Sequence, residues 1–172
     1  MRKVYLSLTV LLALLVFATG ALAADSKNFV AKLSGANEVP ARDTDAFGGA
    51  FFALNGDGSA LTYRLKVTNI ENVTASHIHC APAGVNGSVG VTLFVGSAGS
   101  GPFSGLLASG TITAPDAGNG CGWATLDDVL AAINNGGAYV NVHTNDGVLP
   151  INTGPGDFPG GEIRGQLEVH GH

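Results

Sequence analysis

The chain has 172 residues, a formal charge of −5, 26 glycines, five histidines and two cysteines. That acidic balance argues against a nucleic-acid partner and against charge-driven adhesion to anionic membranes. The glycines lie between short β-rich runs and have no triplet period, which excludes collagen and reads as turn punctuation in an all-β domain.

Met1-Arg2-Lys3, an apolar run from Val4 to Leu22 and the small residues Ala21-Leu22-Ala23-Ala24 follow the order of a secretory signal peptide. Cleavage is expected after Ala23, and removal of Arg2 and Lys3 makes the mature chain more acidic. The apolar run is nearly long enough to span a bilayer, so an uncleaved anchor is the alternative. Residues 1–23 are read as the signal and residues 24–172 as one exported domain, periplasmic or secreted, without a stable membrane span.

Phe29 to Leu33 alternates and predicts a first strand, followed by a loop from Ala36 through Pro40 to Asp45. Ala46 to Leu54 is a second strand, in which Gly48-Gly49 marks a bulge or a close backbone approach. Asn55-Gly56-Asp57-Gly58 is a hairpin turn. The strand from Ser59 to Thr68 has the clearest period. Leu61, Tyr63, Leu65 and Val67 are its expected core face. Ala75 to Cys80, Val89 to Val95 and Leu106 to Thr113 continue the series, with surface loops expected at Pro82–Gly87 and Gly96–Gly105.

One helix interrupts the strands. Thr125 is its expected N-cap, Asp127 and Asp128 suit the positive end of its dipole, and Asn135-Gly136-Gly137 ends it. Leu126, Val129, Leu130 and Ile133 form one apolar stripe. A strand from Ala138 to Thr144, a long loop from Asn145 to Gly161 and a last strand from Glu162 to Val169 complete the chain. About eight short strands with one helix in a connection predict an antiparallel β-sandwich or Greek-key barrel.

Cys80 and Cys121 are an even pair in an exported chain, so a disulfide is expected; Cys80 as a metal ligand is the rival. His77 and His79 share one face of a strand, because side chains repeat every two residues. His143 lies on a second strand-like run. The three are candidate ligands of one metal ion, with copper(II) preferred to zinc because copper binds nitrogen sites more tightly in the divalent series. Asn141, Thr144 and Glu162 are candidate acceptors for the rings' other N–H groups. The competing reading makes these histidines hydrogen-bonded core residues that join neighbouring strands.

Glu162 and Arg164, at i and i+2, are a candidate catalytic pair, or more simply a structural ion pair or solvated edge. Glu38 reads as a loop residue that caps or clamps a neighbouring backbone. Trp123 and Tyr139 read as core. No Gly-x-Ser-x-Gly elbow, Walker loop or dinucleotide fingerprint is present.

Asn37-Glu38-Val39-Pro40, Gly48-Gly49, His77-Ile78-His79, Asn86-Gly87, Tyr139-Val140-Asn141-Val142-His143-Thr144 and Gly161-Glu162-Ile163-Arg164-Gly165-Gln166-Leu167 occur in that order. This ordered set resembles the CHRD domain, named for the repeats in chordin and also found as single exported bacterial domains. The resemblance spans about Phe29 to Val169. It implies an extracytoplasmic β-sandwich or barrel with no agreed activity.

A fainter resemblance is to Cu/Zn superoxide dismutases, whose copper strand also carries a His-x-His. The chain departs from them in lacking a His- and Asp-rich zinc loop and a fourth copper histidine in the body of the domain. His170 and His172 fall at the extreme terminus. Dismutase activity is therefore disfavoured, and no catalytic residue is assigned. Two function classes remain. One is a non-enzymatic metal-binding module. The other is a metal-free module that binds a protein or small ligand through loops such as 96–105 and 145–161.

Overall fold

The alternating runs become strands in the computed structural model, which describes residues 27–171. The expected signal segment and His172 lie outside those residues. Nine strands form in chain order: β1 (Asn28–Ser34), β2 (Phe47–Leu54), β3 (Leu61–Glu71), β4 (Val73–Cys80), β5 (Ser88–Val95), β6 (Pro102–Ile112), β7 (Ala138–Thr144), β8 (Ile163–Gln166) and β9 (Glu168–Val169). A 3₁₀ turn, Gly35–Asn37, follows β1, and helix α1, Leu126–Asn134, fills the connection from β6 to β7.

Every pairing is antiparallel, in the order β5-β4-β7-β8-β1-β2-β3-β6, and β9 adds to β1. The sheet is a nearly closed eight-strand barrel. β4, β5 and β6 are consecutive, and β7 returns beside β4, which is the Greek-key connection. The edge strands β5 and β6 leave one seam open. Tyr63 spans it: its hydroxyl donates to the Leu93 carbonyl of β5 at 2.8 Å. Its ring passes over Gly110, its cross-strand partner on β6, where any side chain would collide with it.

The core lies inside the barrel. Phe29, Phe52, Leu61, Leu65, Val67, Ile78, Val140, Val142 and Ile163 are buried there, and Leu126, Val129 and Ile133 of the helix pack against it. Tyr63 and Leu130 differ from expectation, since both are only partly buried. Tyr63 sits at the seam, where its hydroxyl needs a partner that the interior does not offer. The helix begins as expected. Thr125 accepts from the Asp128 N–H, and the Asp128 carboxylate accepts from the Thr125 N–H at 2.9 Å, a reciprocal capping box.

Three further differences have physical reasons. The Gly48-Gly49 pair makes no bulge, because β2 keeps continuous register with both neighbours. It marks a close approach instead: a Cβ on Gly48 would lie 2.7 Å from the Lys66 carbonyl. β6 starts at Pro102, inside the Gly/Ser-rich stretch expected as loop, because the long β3 gives it a partner to pair with. The last strand is two pieces, β8 and β9. At Leu167, between them, the N–H leaves the β1 ladder and donates to the Ala138 carbonyl.

Cys80 and Cys121 form the expected disulfide, with Cα atoms 5.7 Å apart. It ties the end of β4 to the loop before α1. No helix among the described residues is long and apolar enough to cross a membrane.

Candidate metal centre

Ile78 points into the core, so strand alternation sends His77 and His79 to the outer face of the barrel. On β7 the core residues are Ala138, Val140 and Val142, which sends Tyr139, Asn141 and His143 to that same outer face. Pairing of β4 with β7 sets His77 opposite Asn141 and His79 opposite Tyr139. One ring nitrogen from each of His77, His79 and His143 lies within 4.8 Å of the other two. His77 and His79 thus come together from one strand and His143 joins them from the next.

Backbone carbonyls hold two of the rings. His79 Nδ1 lies 3.0 Å from the Gly87 carbonyl and His143 Nδ1 lies 2.9 Å from the Pro159 carbonyl. A carbonyl only accepts, so each Nδ1 carries the proton and each Nε2 keeps its lone pair. His79 Nε2 is buried and makes no close hydrogen bond; the Asn141 side chain is the polar group beside the ring. His143 Nε2 lies 3.1 Å from His77 Nδ1. Since His143 Nε2 is unprotonated, His77 Nδ1–H is the donor in that contact. A metal ion at this point would take the place of the shared proton. Nitrogen pairs of a bound tetrahedral site are about 3–4 Å apart, so the cluster needs little movement to close on an ion.

Burial lowers the pKa of all three rings. His77 is brought down to about 4, first by desolvation and then by the neighbouring His143 and His79, with Asp116 opposing. Burial is the largest cause for His79 and for His143, opposed by their bonds to the Gly87 and Pro159 carbonyls. The rings are therefore held neutral, the form that a metal requires.

The candidate outer partners are placed differently from one another. Asn141 lies on the histidine face between His79 and Glu38, with its Oδ1 buried and unbonded. Thr144 is on the opposite face of β7 from His143. Its hydroxyl donates to Glu162 Oε2 at 2.6 Å, and Glu162 also accepts from Thr44 and from the Gly156 N–H. Thr144 and Glu162 thus brace the 145–161 loop from below, and that loop delivers the Pro159 carbonyl to His143.

Glu162 and Arg164 are not partners. Arg164 is 1% exposed and donates to the Pro82 and Val85 carbonyls and to Asn86. Its guanidinium lies 3.4 Å from the centre of the Tyr139 ring, and Tyr139 stacks on His79 with centroids 4.9 Å apart. Tyr139 is buried as expected, but beneath the loops on the outer face, as the platform for a site imidazole. Its hydroxyl accepts from the N–H of Gly87, the residue whose carbonyl holds His79.

Glu38 is the residue whose role sequence reading caught least. Its carboxyl is buried against Asn141 and Arg164, and burial pushes its pKa up to about 7. Gly161, at φ +122°, makes this approach feasible, because any Cβ there would collide with Glu38 Oε1.

The CHRD domain model matches residues 29–167. No curated protein and no solved structure gives a significant match. With most of its length covered by that domain, and with the barrel and its ordered motifs in place, the chain belongs to the CHRD family.

Proposed function

For a CHRD-domain chain with this outer-face cluster, we propose an exported, non-enzymatic metal-binding module that holds copper, and less readily zinc, through His77, His79 and His143. The observation that carries the reading is the convergence on one outer face of His77, His79 and His143, with one ring nitrogen of each within 4.8 Å of the other two. Three neutral nitrogen donors suit copper and zinc and leave a coordination position for water or a small ligand. The disulfide and the leader-like residues 1–23 support a periplasmic or secreted location.

Metal analysis and copper titration of tag-free protein test this reading. Wild type should bind one equivalent, His77→Ala and His143→Ala should lose it, and His170→Ala/His172→Ala should keep it. Equal binding by wild type and the site variants, or loss of all binding with the tail histidines, would leave the cluster a structural one. Val148, Leu149 and Ile151, exposed together on the 145–161 loop, favour a second reading, that of a metal-free protein-docking module.

A further inference from the structure

We propose that the three-histidine site selects copper(I) over copper(II), with Arg164 as the residue that sets the preference. This rests on the metal-binding reading above. Its first support is the donor set: three neutral imidazoles and, among the described residues, no carboxylate grouped with them. Two of those rings keep their Nδ1 protons on the Gly87 and Pro159 carbonyls, so neither becomes an imidazolate without breaking a bond. The ligands therefore offset none of the ion's charge.

The second support is the position of the nearest fixed charges. Arg164, His79 and Tyr139 form one stack, with the guanidinium and the imidazole each packed on the tyrosine ring. Arg164 is buried, so solvent screens its charge little. A doubly charged ion suffers more from it than a singly charged one. Glu38 lies beside Arg164 and, with burial pushing its pKa up to about 7, offsets only part of the guanidinium's charge at pH 7.

One counter-charge lies at the solvent side. Asp116 accepts from the N–H and hydroxyl of Thr92, which pairs with His77 across β4 and β5. A carboxylate at that edge favours positive charge on the site. His77 is only partly buried, so water weakens this influence, whereas the guanidinium lies where solvent screens little. The environment of a metal site sets its potential through such charges and through solvent exclusion.

The test is competition against chelators specific for each copper oxidation state, under anaerobic conditions. Wild type should bind copper(I) more tightly than copper(II). Arg164→Met should lower the ratio of copper(I) to copper(II) affinity by about tenfold, equivalent to about 59 mV for a one-electron couple. Arg164→Lys keeps the charge and should keep the ratio. Asp116→Asn, which leaves the buried stack intact, should raise it. A preference for copper(II), or a ratio that Arg164→Met and Asp116→Asn move in the same direction or not at all, overturns the proposal while leaving metal binding in place. Absence of binding in either oxidation state overturns the metal reading itself, and this inference with it.

Discussion

At the scale of single residues, the outer face of β4, β7 and β8 holds ionisable groups in forms they would not keep in water. Glu38 is the clearest. Its folded pKa of about 7 stands above the ordinary 4.5, so the folded chain binds a proton that the unfolded chain has already released. Stability associated with Glu38 is therefore present below about pH 4.5 and is lost as pH rises through about 7. The histidines are common to both proteins and cancel in a comparison, so the urea midpoint of the metal-free wild type should fall relative to that of Glu38→Gln between pH 5 and pH 8. A Glu38→Gln profile with the wild-type slope would contradict the assignment. The site histidines act in the opposite sense. Their folded pKa values are lowered, so the unfolded chain gains protons first, and stability falls as pH drops from about 6.5 towards the value of about 4 at His77.

At the scale of elements, β3 shows what alternation tells and what it leaves out. Leu65 is fully buried, and Leu65→Ala should cost about 2–5 kcal/mol in chemical denaturation through lost transfer energy and a cavity. A loss below about 0.5 kcal/mol, the size of an ordinary surface effect, would mean that Leu65 does not face the core. Tyr63 follows the same period yet lies half-buried, because the barrel closes incompletely and its hydroxyl bridges the gap. Periodicity reports which face a residue takes, not where along the barrel that face meets an opening. The histidines were legible for the same reason: spacing of two places His77 and His79 together, and the β4–β7 register brings in His143. Their outer bonds were not legible. Gly87 and Pro159 act through carbonyls, which every residue possesses, and only the loop paths bring them to the rings. Arg164 and Glu38 carry recognisable side chains, but their roles depend on burial under loops that have no periodic signal.

At the scale of the whole molecule, the barrel provides a rigid outer wall and the loops cover it. β4 and β7 fix the three histidines, the 145–161 loop supplies the Pro159 carbonyl, and the 81–87 loop supplies the Gly87 carbonyl. The Cys80–Cys121 disulfide fastens the root of the second loop, one residue from His79, and spans a sequence separation of 41. Replacing both cysteines with serine should destabilise the protein by about 4 kcal/mol on the chain-entropy estimate. A change under about 1 kcal/mol would show that the unfolded chain is not restrained by the link. The proposed site holds one ion among His77, His79 and His143. Crystals of the His170→Ala/His172→Ala protein, loaded with copper and measured at the copper absorption edge, test it most directly. A single anomalous peak is expected about 2.0–2.1 Å from one ring nitrogen of each of His77, His79 and His143. Crystals loaded in the same way with no peak among those three rings, or with copper only elsewhere on the surface, would contradict it.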